Sequence, residues 1–166
     1  MKKTLTGLMC LLFASTVSAA NDPVAHWSRI VGVITALNVD NPVADIDSGT
    51  FAWTTKSGRA SVNLRTGHMS FAVNGLAING TVFSGTPGPI TEVTGTLVCN
   101  AGDAAESILD TADVTLSPDG DASFSGNIGP IPSPCANPLF LIRIASPAGA
   151  RGRWIATGSV RTTSND

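Results

Sequence analysis

From Thr50 to Val73 the chain reads TFAWTTKSGRASVNLRTGHMSFAV, with apolar residues alternating on either side of two Ser/Thr-Gly dipeptides. A period of two marks strands whose successive side chains point to opposite faces of a sheet. Ser57-Gly58 and Thr66-Gly67 each read as a two-residue hairpin loop. The first loop sets Trp53 opposite Val62 and Phe51 opposite Leu64. The second sets Leu64 opposite Met69, Val62 opposite Phe71 and Ala60 opposite Val73. Both registers gather Phe51, Trp53, Ala60, Val62, Leu64, Met69, Phe71 and Val73 on one side. Thr54, Ser61, Asn63, Arg65, His68 and Ser70 fall on the other. A slip of one residue would scatter these sets, so their agreement predicts a three-stranded meander with one buried face. The same register sets Lys56 opposite Arg59, a like-charge pair that is tolerable beside a solvated turn.

The rest of the chain supports an all-β reading. It is rich in Gly, Ser, Thr and Val, and no long window carries a helical period. ADVTLSPDGDASFSGNI predicts a second hairpin around Pro118-Asp119-Gly120, in which Pro sets φ and Gly accepts a positive φ. Val114, Leu116, Ala122, Phe124 and Ile128 form its inner face. Further strands are expected over Ile30–Leu37, Ile90–Cys99, Leu139–Ala145 and Arg153–Val160. A set of about nine strands in one flat sheet would leave an apolar face wet. The expected fold is therefore a single-domain antiparallel β-sandwich, with a small closed β-barrel as the alternative.

Met1–Ala20 is expected to be a secretory signal peptide. Lys2 and Lys3 precede an apolar stretch from Leu8 to Ala14, and Ser18-Ala19-Ala20 offers a cleavage site. The apolar stretch is too short for a spanning helix, and no later segment offers an integral membrane span. Residues 21–166 then form one all-β domain. Loss of Lys2 and Lys3 makes the net charge of −2 more negative still, the opposite of a nucleic-acid binder's balance. A small outer-membrane barrel should show aromatic girdles, and this chain has no Tyr.

In an exported chain, Cys99 and Cys135 form a disulfide candidate. Closing a loop of this length stabilises the fold by about 4 kcal/mol on chain-entropy grounds. Cys135 sits in GPIPSPCANP, too proline-rich for a central strand. It reads as an irregular connection pinned to the sheet by Cys99. GTPGP, at residues 85–89, superficially resembles a phosphate cradle. Such cradles run into a helix with amides free to donate, whereas two prolines and the strand-like ITEVTGTLVC make this one a turn.

Candidate chemistry is sparse. His26 and His68 are the histidines, and a general base would need an orienting carboxylate and a nucleophile in reach. Neither has them nearby in sequence, and no G-x-S-x-G elbow occurs. His68 is expected on the wet face beside a turn. Asp40, Asp45 and Asp47 are weak calcium candidates; they lack the DxDxDG core and the downstream Glu of an EF-hand loop, so a solvated loop explains them better. Trp53 and Trp154 are expected to be buried, which leaves Trp27 alone for any sugar-stacking role. Arg143, Arg151, Arg153 and Arg161 read as a local basic patch or as scattered outer-face charges. No cofactor and no metal is expected.

The blocks SGTPGPITEVTGTLVC, GDASFSGNIGPIP and GRWIATGSVR resemble parts of secreted bacterial proteins of unassigned function, over roughly residues 27–162. The resemblance implies export, to the periplasm or the exterior, and a similar size; it carries no activity with it. The expected function is that of a non-enzymatic exported module that binds a protein or small ligand or contributes to the cell surface. The alternatives are a fimbrial-type subunit assembling through strand edges, and a hydrolase with a site near His26 or His68.

Overall fold

The computed structural model describes residues 23–36, 39–147 and 152–164. The expected signal peptide, its cleavage point at Ala20, Leu37 and Arg151 lie outside the described residues. The described chain is built from strands: β1 (Val24–Gly32), β2 (Ala52–Thr54), β3 (Ser57–Asn63), β4 (His68–Asn74), β5 (Ala77–Asn79), β6 (Glu92–Cys99), β7 (Ser107–Asp110), β8 (Val114–Thr115), β9 (Ala122–Asn127), β10 (Leu139–Ser146) and β11 (Trp154–Ser164). No helix occurs among the described residues.

The alternating segment sorts its faces as expected, by a different route. Ala60, Val62, Met69, Phe71 and Val73 are all buried, and His68 and Arg65 are exposed. Val62 lies opposite Met69, however, and Ala60 opposite Phe71, a register two residues from the expected one. The loop is longer than two residues because the Asn63 side chain closes it. Asn63 Oδ1 accepts from the amides of Arg65 and Thr66, at 3.0 and 2.9 Å, and Gly67 takes a φ of 73°. An even shift preserves the parity of every position, so the buried set survives.

The first expected turn is absent. Ser57 and Gly58 belong to β3, opposite Asn74 and Val73, while β2 pairs with β5 and sets Trp53 opposite Ile78. Thr55 Oγ1 donates to the Ile30 carbonyl at 2.6 Å, and the Lys56 amide donates to the Asn74 carbonyl at 3.0 Å. These bonds carry the chain onward instead of reversing it. Gly58 serves a close approach: a Cβ there would lie 2.7 Å from that of Ile30. Phe51, expected inside, is 41% exposed because the register that would have buried it does not form.

One antiparallel sheet runs in the order β7-β6-β10-β11-β1-β3-β4-β9, with β8 also on β6; β2 and β5 form a separate ribbon. Laid flat, five strand spacings between β6 and β4 would separate them by roughly 24 Å. Yet a Cβ on Gly95 of β6 would come within 2.7 Å of the Phe71 ring on β4. The sheet therefore curls until its two halves face one another, sandwich-fashion, around a shared core. Phe140 sits at the centre, 5.8 Å from the Trp27 ring and 5.6 Å from that of Phe71. Each such aromatic contributes about 1.5–3 kcal/mol by leaving water.

The expected hairpin does not form, since β8 and β9 pair with other strands, but its Pro118-Asp119-Gly120 turn does: the Ser117 amide donates to the Asp121 carbonyl, and Gly120 has a φ of 81°. It joins β8, on β6, to β9, on β4, and so links opposite regions of the curled sheet. Residues 85–91 lead through turns into β6 and not into a helix. Cys99 and Cys135 stand at disulfide distance, Sγ to Sγ 1.98 Å. Asn100 adds a second attachment for the proline-rich segment. Its side chain donates to the Pro134 carbonyl at 3.0 Å and accepts from the Ala136 amide at 2.8 Å.

Candidate functional site

Small polar residues alternate with core residues along four adjacent strands, and the pairing aligns them. His26 of β1 lies opposite Ser61 of β3, Ser61 opposite Ser70 of β4, and Ser70 opposite Ser125 of β9. The inward partners Trp27, Ala60 and Phe71 are anchored in the core, which holds the outward row on a rigid floor. Ser61 Oγ and Ser70 Oγ are 3.0 Å apart. Because Ser28, Ser61, Ser70 and Ala72 are short, the row forms the base of a trough of about 470 Å³, flanked by His26 and Arg59.

A second concavity of about 430 Å³ shares Ser28 with the first and is lined by Arg29, Val31, Thr55, Lys56 and Ser57. Taken together the two follow β1 from His26 to Val31, about 17 Å at strand rise. Their walls carry His26, Arg29, Lys56 and Arg59, and no Asp or Glu lines either one. The side chains of Arg29, Lys56 and Arg59 have no hydrogen-bond or ion-pair partner among the described residues. On a chain of net charge −2, this is a local cationic, hydroxyl-floored surface.

Three arginines elsewhere among the described residues are occupied. Arg143 pairs with Asp110 at 3.1 Å and donates to the Gly152 carbonyl; Arg153 pairs with Asp40 at 3.2 Å and donates to the Ser48 carbonyl. Arg161 donates to the Pro138 carbonyl at 3.0 Å. These contacts tie loops to strands, and they do not assemble the local basic patch considered from sequence. Arg143 and Asp110 also cover the outer side of β6, where Thr96 Oγ1 donates to Asp110 at 2.6 Å and Thr94 bonds Thr111. That polar layer buries Thr94 and Thr96 on the side that alternation alone leaves open.

The two histidines lie on the same outer face but in different settings. His26 is exposed beside the serine row, and His68 Nε2 is 3.4 Å from Ser125 Oγ. Among the described residues no carboxylate bonds either imidazole. Asp40 is engaged by Arg153, Asp45 and Asp47 are exposed, and no group of three metal-capable side chains converges among the described residues. Trp27, Trp53 and Trp154 are all buried, which removes Trp27 as a stacking platform. No helix among the described residues is long and apolar enough to cross a membrane.

Comparison with protein families, with curated proteins and with solved structures finds no match to this chain. The trough itself was partly visible in sequence: Ser61 and Ser70, which line it, fall on the wet side by alternation. Arg29 was missed, and Lys56 and Arg59 were read only as a like-charge pair beside a turn. Their convergence depends on β1 lying beside β3, and no local signal reports that pairing.

Proposed function

We propose that this protein is an exported, non-enzymatic binding module that receives its ligand in the trough across β1, β3 and β4. One observation carries the reading. A rigid concave floor of small hydroxyl side chains is ringed by cations whose charge nothing in the described protein neutralises. Unpaired cations beside an ordered polar floor favour an external partner over an internal structural role. The leader-like Met1–Ala20 supports export, and the Cys99–Cys135 pair suits an oxidising compartment. Cleavage after Ala20 predicts a mature protein beginning at Asn21, which N-terminal sequencing of secreted material checks.

Filling the trough tests the binding reading directly. The double variant Ser61→Trp, Ala72→Trp places bulk on the outer face without touching the core. On arrays of glycans and peptides, wild type is expected to bind at least one class that the filled variant loses, at matched melting temperature. Identical profiles for the two proteins would overturn the reading.

The sheet's two terminal strands, β7 and β9, each pair on one side within it, which keeps assembly through strand edges as the second reading. Concentration-dependent chromatography decides that point: a monomer at all concentrations removes it.

A further inference from the structure

We infer that the trough binds an anionic polysaccharide, a chain bearing carboxylate or sulfate groups, laid along β1 and β3. The inference rests on the binding reading above and adds the chemical class of the ligand. Charge comes first. Arg29, Lys56 and Arg59 border two adjoining concavities that share Ser28 and are lined by no acidic side chain. Such an arrangement favours anions locally, where its charges are nearest.

Length comes second. Together the two concavities follow β1 from His26 to Val31, about 17 Å at strand rise, too long for one isolated phosphate or carboxylate and suited to a chain with repeated charges. The floor comes third. Ser61 and Ser70 share one hydrogen bond at 3.0 Å, which leaves a hydroxyl proton and several lone pairs available, and Ser28 stands beside them. Hydroxyls that both donate and accept match sugar hydroxyls, and the cations match the acidic substituents.

The same features disfavour other polyanions. Single-stranded nucleic acids are held by stacked aromatic side chains. Here Trp27, at the trough base, is 2% exposed and Phe71 3% exposed. An acidic peptide adding as a strand needs a free sheet edge, whereas β3 is paired with both β1 and β4 from Ala60 to Val62.

The test keeps the sugar backbone constant and varies its charge. Dextran, carboxymethyl dextran and dextran sulfate are titrated against the mature protein, with polyglutamate and an oligothymidylate as non-sugar polyanions. The expected result is binding to the two charged dextrans and to none of the others. Affinity should fall as salt rises from about 0.05 to about 0.5 M, as screening shortens the reach of each charge. The triple variant Arg29→Gln, Lys56→Gln, Arg59→Gln is expected to lose about tenfold or more in affinity. Arg59→Gln alone should weaken binding measurably. Arg65→Gln, which removes the same charge from the β3–β4 loop, should leave it within about twofold. Melting temperatures confirm that each variant is folded.

Equal effects of Arg59→Gln and Arg65→Gln would overturn the inference, because net charge alone would then govern binding. Equal binding of polyglutamate or oligothymidylate would overturn the saccharide class, and failure of both charged dextrans would overturn the whole inference. Binding of neutral dextran as tightly as the charged forms, abolished by Ser61→Trp, Ala72→Trp, would sink the anionic class yet leave the binding-module reading standing.

Discussion

Gly95 of β6 shows how one absent side chain sets the shape of the core. Phe71 reaches across from β4 into the space above it, and Phe140 closes the other side. A methyl group at 95 would lie 2.7 Å from the Phe71 ring and 3.3 Å from that of Phe140. Both rings are buried and have little room to retreat. Gly95→Ala is therefore expected to cost about 1–3 kcal/mol by overpacking, read as a lower urea midpoint at unchanged slope. An unaltered midpoint would mean that Phe71 does not rest on β6 and that the sheet is less curled than described. Asn63 acts at the same scale with the opposite sign. Its side chain accepts two loop amides and so sets the length of the β3–β4 loop.

At the scale of elements, the connection from β9 to β10 is held by attachments and not by strand pairing. Four prolines between Pro130 and Pro138 deprive it of donors. The Cys99–Cys135 bridge and the Asn100 side chain secure it to the end of β6 instead. Joining residues that are 36 apart in sequence restricts the unfolded chain. Cys99→Ala with Cys135→Ala should thus lower stability by about 4 kcal/mol, with a wild-type far-ultraviolet spectrum, because the Asn100 contacts remain. Urea unfolding of this variant beside the oxidised and reduced wild type makes the measurement. A change below about 1 kcal/mol would show that the unfolded chain is already restrained there.

Across the whole molecule, the two ends of the described chain meet in the middle of the sheet. β11 lies between β10 and β1, with Ala25 opposite Thr163 and Gly32 opposite Ala156. Ile155 and Ala156 are fully buried, and Trp154 donates from Nε1 to the Asn41 carbonyl at 2.8 Å. Without β11 the sheet would split into two pieces, each with an apolar face in water. A chain truncated after Arg153 is expected to lose cooperative unfolding and amide protection throughout, β3 and β4 included. Protection that persisted in β3 and β4 alone would show that the meander side folds independently. Pairings this distant in sequence also predict slow folding, since loop closure precedes the contacts that reward it.

What the amino-acid sequence determined by itself was parity and punctuation. Alternation sorted Val62, Met69, Phe71 and Val73 from Ser61, His68 and Ser70, because a side chain's face depends only on its odd or even position along a strand. Pro118-Asp119-Gly120 announced its turn, and the cysteine pair was legible as a staple, because both are local or nearly binary facts. Tertiary structure decided the rest. Whether Ser57-Gly58 reverses the chain depended on Thr55 bonding Ile30 and Lys56 bonding Asn74, and the exposure of Phe51 depended on β2 pairing with β5 and not with β3. The cationic trough exists because β1 lies beside β3, bringing Arg29 together with Lys56 and Arg59. Such choices are made by contacts between residues far apart in the chain, and no local pattern encodes them.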